Sequence, residues 1–193
     1  MTINLCPDRK DYYSQLNNEQ DPFISCQATT AAQCIDIVDN IYVMTSIGPY
    51  KQPEDNLRRF CKYDSETMSL CVRRYGVNWD NEVDHPSEYV DILVFAINKI
   101  MGYQCAHFEP YINPQLLAAD LNSGLPIQVS MWFHGISGHH VSVVGLTDQG
   151  NWIINDPYRD WLHDSPNGFN VIYTPDDLKN HLKGHGIKYS RRK

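Results

Sequence analysis

Residues 138–158, GHHVSVVGLTDQGNWIINDPY, constrain this chain more than any other stretch. An apolar run at 141–146, a turn at Thr147-Asp148-Gln149-Gly150 and a second apolar run at 152–154 spell a β-hairpin. Strands joined by a short turn bring their far ends side by side. His139 or His140, where the first strand starts, is therefore expected to meet Asp156, where the second one stops. A histidine held against a carboxylate is an oriented general base, and such a base works on a nucleophile.

A nucleophile is available near the front of the chain. From Cys26 the small or apolar positions Ala28, Ala31, Ala32, Ile35 and Val38 recur at the three-and-four spacing of a helix face, with Ser25 as N-cap candidate. Cys26 then lies in the first turn, where unpaired backbone N–H groups and the positive end of the helix dipole favour an anionic sulfur. Cys34, on the same helix, is the weaker candidate, read as packing.

The rest of the chain divides by period. Residues 1–25 are polar and turn-rich and read as an extended arm. A loop with Gly48 and Pro49 spans 41–52, helices are expected at 54–63 and 66–75, and 77–86 reads as a polar connector. Ser87 opens an apolar helix running to Met101, with Tyr89, Leu93, Ala96, Ile97 and Ile100 inward and Gly102 as its stop. A short strand at 103–108 is followed by a helix that Asn113-Pro114 opens and that ends near Gly124. From Pro126 the period becomes that of strands, at 127–133, 141–146, 152–155 and 170–173, before a last helix at 176–183 and a basic, solvated tail at 188–193. Helices first and antiparallel strands second make an α+β fold. One domain is expected over 1–193, with an arm at 1–25, a helical part at 41–122 and a sheet at 126–174.

Composition excludes several functions. A net charge of −7 over 193 residues offers no basic surface for nucleic acid. No run approaches the roughly 18 apolar residues of a membrane span, and residues 1–13 lack the apolar core of a secretory signal, so synthesis in a cytoplasm is expected. The six cysteines, Cys6, Cys26, Cys34, Cys61, Cys71 and Cys105, show no paired metal spacing and read as free thiols, several of them buried. His134, His139, His140, His163 and Asp156 raise zinc as a competing possibility, but no helical His-x-x-x-His pair accompanies them, and no cofactor is expected. Trp132, Trp152, Trp161 and Tyr158 read as core or cleft wall.

The order Cys at a helix start, then a strand-borne His, then a carboxylate or Asn is that of papain-like cysteine peptidases. Tyr13-Ser14-Gln15 with Asn18, Ser25-Cys26, Gly138-His139 before a strand reaching Gly145, and Asn155-Asp156-Pro157-Tyr158 resemble the bacteriocin-leader (double-glycine) peptidase-like family. The arm at 11–18, DYYSQLNN, further resembles members found in phage and bacterial cell-wall lysins. Gln27 and Arg159 depart from the family's usual residues.

The resemblance implies Cys26 as nucleophile, His139 as base, Asp156 as its orienting partner and Gln15 as oxyanion donor. It implies thioester hydrolysis of a peptide or peptidoglycan substrate. Strand alternation lets only one of His139 and His140 face the cleft, and counting back from Gly145 along the strand of the family it resembles favours His139. Asn155 is the rival of Asp156, which before a proline also suits a plain turn. A protease or transferase acting on a specific cytoplasmic protein or leader, and an inactive binding module, are the alternatives.

Overall fold

The computed structural model describes residues 1–39, 41–76, 85–133 and 136–192, with the side chains of Asp11, Ile136 and Ser137 outside the description. Among these residues the order is β1 (Ile3–Asn4), α1 (Cys26–Val38), α2 (Tyr42–Ser46), α3 (Pro53–Tyr63), α4 (Ser65–Tyr75), α5 (Val90–Met101), β2 (Ala106–Glu109) and α6 (Pro114–Asn122). There follow β3 (Ile127–Phe133), β4 (Ile136–Leu146), β5 (Trp152–Asn155), β6 (Val171–Tyr173), α7 (Pro175–His181) and β7 (Leu182–Tyr189). Helix ends follow local chemistry: the Asp64 carboxylate accepts from the Thr67 amide ahead of α4, and Gly76 and Gly102 end α4 and α5 in the left-handed region at φ 65° and 73°.

The strands form one antiparallel sheet in the order β2-β7-β3-β4-β5-β6, with β1 paired to the upper half of β4. This is the α+β architecture expected. Both faces are covered. On one, α1, α3 and α5 pack Ala31, Ile35, Leu57, Leu93 and Ile97 against Ile187 and Tyr189. On the other, Leu117 and Leu121 of α6 and Leu178 of α7 lie against Val129, Val141, Val143 and Ile154. β3 is accordingly buried nearly throughout rather than at alternate positions.

α1 is buried along its length except at Asp36 and Ile37, and most of its side chains are small. Its polar groups are tied to the sheet: Thr30 Oγ1 donates to the His140 carbonyl at 3.1 Å, and Gln128 Nε2 donates to the Gln27 carbonyl at 3.1 Å. The hairpin forms as expected, with Ser142 opposite Asn155 and Leu146 opposite Trp152. α5 buries Leu93, Ala96 and Ile97, whereas Tyr89 and Ile100 are half-buried at its margin. All six cysteines are buried, and no disulfide joins them among the described residues.

Four segments differ from the sequence reading. The loop at 41–52 contains the short helix α2, and the strand expected at 103–108 begins at Ala106. The arm is not simply extended. It contributes β1, turns twice in 3-10 conformation at Arg9–Asp11 and Gln15–Asn17, and buries Cys6 and Gln15. The last helix stops at His181, and β7, which lies between β2 and β3, takes in the expected helix end at 182–183 and the first two residues, Lys188 and Tyr189, of the stretch read as a solvated tail. Two glycines, two lysines and His185 hide the strand signal, because only Ile187 and Tyr189 turn large side chains fully inward. The connector expected at 77–86 lies outside the described residues from 77 to 84, and Pro86–Glu88 is a 3-10 turn.

Removing residues 182–193 should therefore abolish cooperative folding. Burying Ile187 and Tyr189 contributes about 2–3 kcal/mol each, against a typical total of about 5–15 kcal/mol. A truncated chain that melts within a few degrees of the full chain, followed by circular dichroism, would show that β7 is dispensable.

Candidate active site

Cys26 opens α1, and Ser25 precedes it, though not as a side-chain cap: the Ser25 hydroxyl instead accepts from Asn18 Nδ2 at 2.8 Å. His139 stands near the start of β4, beyond the point where β5 ends, opposite Met131 of β3. Asp156 follows β5 directly. His139 Nε2 meets Asp156 Oδ1 at 2.7 Å, and the same ring shares a hydrogen bond with the Cys26 side chain. The three side chains predicted from sequence to converge do so, from the front and the back of the chain.

Exposure grades across the trio, from 9% at Cys26 through 5% at His139 to none at Asp156. Cys26 is thus the most exposed of the three residues, and the carboxylate is sealed beneath the ring. Burial alone would strip His139 of its proton. The Asp156 carboxylate, its hydrogen bond and the Cys26 sulfur outweigh that and raise the ring's pKa to about 10. The imidazolium, held between a carboxylate and a sulfur, is the form favoured at neutral pH.

His140 has the opposite fate. It points to the α1 face, where its Nδ1 lies 3.5 Å from Gln128 Nε2. Burial, then the charges of His139, His185 and Lys183, lower its pKa to about 3. Strand alternation decides between the neighbours, and His139 is the one beside Cys26 and Asp156. Asn155 likewise faces away from His139, and its Oδ1 accepts from the Asn170 amide at 2.8 Å.

Asp156 is held on several sides. Its Oδ1 also accepts from the Tyr158 amide at 3.0 Å, a turn of the kind an Asp-Pro pair favours, so the turn and the His139 contact coexist. Its own amide donates to the Gly168 carbonyl at 2.8 Å, and the Tyr12 hydroxyl donates to its carbonyl at 2.5 Å.

Gln15 is buried, with its backbone amide donating to the Pro157 carbonyl at 2.8 Å and its side-chain Nε2 donating to the Pro22 carbonyl at 2.7 Å. A primary amide carries two N–H bonds, so one remains for another acceptor. Trp161 stands edge-on to His139 at 6.4 Å between ring centroids and stacks on Tyr158 at 5.3 Å, as a wall of the site. Trp152 is in the core, whereas Trp132 is 57% exposed beneath Lys183.

The sequence reading passed over Tyr12 and Gly168 as site-forming residues. Tyr12 was visible only as part of the arm, and nothing local marks Gly168 as the glycine against which Asp156 rests. For zinc, His163 pairs with Asp160 at 2.7 Å, His140 faces the other side of the sheet, and His134 lies outside the described residues. Among the described residues no group of three or more His, Cys, Asp or Glu side chains is gathered as a metal site requires.

The fold and the convergence of sulfur, imidazole and carboxylate define the papain-like cysteine peptidase class. The family model described as "Peptidase C39 like family" matches residues 9–173, and the chain belongs to that family of cysteine peptidases. No curated protein matches it. Among the described residues no helix is long and apolar enough to cross a membrane.

Acid should weaken the fold through His140. Its pKa is lowered in the folded state, so its contribution is complete above about 6.5 and is lost as pH falls toward about 3, where the unfolded chain alone takes up the proton. Urea unfolding at pH 7 and pH 5 should show about 2 kcal/mol less acid loss in His140→Leu than in the native chain. His139 has the opposite sign: its contribution is whole below about 6.5 and is lost as pH climbs toward about 10. An identical acid response in the His140→Leu variant would refute the neutral assignment.

Proposed function

We propose that this protein is a cysteine peptidase that cleaves peptide or amide bonds with Cys26 as nucleophile, His139 as its acid–base partner, Asp156 as the group orienting His139, and Gln15 as an oxyanion donor. The observation that carries this reading is the 2.7 Å bond from Asp156 to a ring that also meets Cys26.

The Cys26 sulfur attacks the carbonyl carbon as one of a pair with His139, which takes up and holds its proton. The developing oxyanion is met by the Cys26 backbone amide, at the positive end of α1, and by the second N–H of the Gln15 side chain. His139 then gives its proton to the leaving amine. Water, deprotonated by the same ring, hydrolyses the thioester and restores the pair.

For the substrate we take bacterial cell-wall peptides, in the manner of an endolysin. The support is the arm DYYSQLNN, which resembles that of lysin members and is built into the site, since Tyr12, Ser14 and Gln15 all bond to residues 156–157.

Purified walls of several types should clear on incubation with the native protein and not with Cys26→Ala, and the fragments' masses would name the bond. His139→Ala should lose about 10²–10⁴ in rate, whereas His140→Ala should keep its turnover while losing stability. Failure to clear any wall type, with Cys26 still reacting rapidly with iodoacetamide, would move the substrate to a specific protein or leader peptide. If Cys26 reacts no faster than Cys61 or Cys71, the peptidase assignment itself fails.

A further inference from the structure

The arm touches both halves of the site. At its front, the Tyr12 hydroxyl donates to the Asp156 carbonyl at 2.5 Å, and the Ser14 hydroxyl donates to the Pro157 carbonyl at 3.3 Å. At its back, Asn18 Nδ2 donates to the Ser25 hydroxyl at 2.8 Å and to the Thr29 hydroxyl at 3.0 Å, in the first turn of the helix that carries Cys26. Residues 12–18 thus join the segment bearing the carboxylate to the segment bearing the sulfur.

The Asp156 peptide is gripped between two partners. Gly168 accepts from its amide, and a Cβ on Gly168 would overlap the Asp156 carbonyl and crowd the Tyr12 hydroxyl. Only a glycine lets the two strands of chain close this tightly. The Tyr12 ring also packs on Phe169 at 5.7 Å, so the hydroxyl is delivered by a ring that is itself fixed.

From this geometry we infer that Tyr12 is a positioning residue: its hydroxyl, with Gly168 opposite, sets where the Asp156 carboxylate stands beneath His139. The inference rests on Cys26, His139 and Asp156 acting as the catalytic set. Tyr12 touches neither substrate nor sulfur in this role. It acts through Asp156, whose buried carboxylate reaches His139 only if its backbone is held. A carboxylate displaced by a fraction of an ångström holds the imidazolium less well, so loss of the hydroxyl should lower both turnover and the pH at which His139 gives up its proton.

The test is Tyr12→Phe, which keeps the ring on Phe169 and removes only the hydroxyl. We expect kcat to fall about tenfold to a hundredfold with KM nearly unchanged. The His139 titration, followed by NMR of its ring carbon, should move down by about half a unit or more. Tyr111→Phe, at a position 79% exposed, is the control and should match the native chain in both readouts. A folded Tyr12→Phe variant with native kcat and native His139 titration overturns the inference. Should that variant fail to melt cooperatively, Ser14→Ala, which removes the neighbouring bond to Pro157, decides by the same two criteria. The titration is read without substrate, so an inactive native protein would count against the peptidase reading and leave the clamp judged by His139 alone.

Discussion

The structure depends on the burial of one helix. α1 presents alanines, threonines and cysteines on every side, so it can lie deep between the sheet and the remaining helices, where larger side chains would hold it off. Burial of that kind obliges its polar groups to find partners. They find them on the sheet and the arm: Thr30 at the His140 carbonyl, the Gln27 carbonyl at Gln128, Thr29 at Asn18. The same bonds that satisfy these groups fix the register of α1 against β4, and with it the position of Cys26 relative to His139.

Two adjacent histidines show how completely environment decides chemistry. His139 and His140 share a strand, a residue type and nearly the same burial, yet one is held as a cation and the other as a neutral ring. Desolvation pushes both toward neutrality. A buried carboxylate 2.7 Å away reverses it for His139, while His140 faces Gln128 and a neighbourhood of positive charge. The pleat, which sends successive side chains to opposite faces, is the physical origin of the difference.

The arm at 1–25 changes standing once the fold is known. It pairs with β4 through Ile3 and Asn4, buries Cys6 and Gln15, and bonds to both ends of the site. Gln15 lies far along the chain from Asp156, and what joins them is the Pro157 carbonyl. The match of the Peptidase C39 like family begins at residue 9, inside this arm and ahead of the helix that Cys26 opens.

Local pattern alone determined the hairpin of β4 and β5, the helix that Cys26 opens, most helix starts and stops, and the pairing of a strand-borne histidine with Asp156. These follow from turn residues, apolar period and caps, which act over a few neighbouring positions. Tertiary structure alone decided that β7 is an inner strand, because five of its eight residues are glycine, lysine or histidine and it becomes a strand only through hydrogen bonds from β2 and β3 on either side. It also decided that Tyr12 and Gly168 grip Asp156 and that His140 lies against Gln128. Each of these is a contact between segments distant in the chain, and no local period encodes which backbone carbonyl a remote hydroxyl will find.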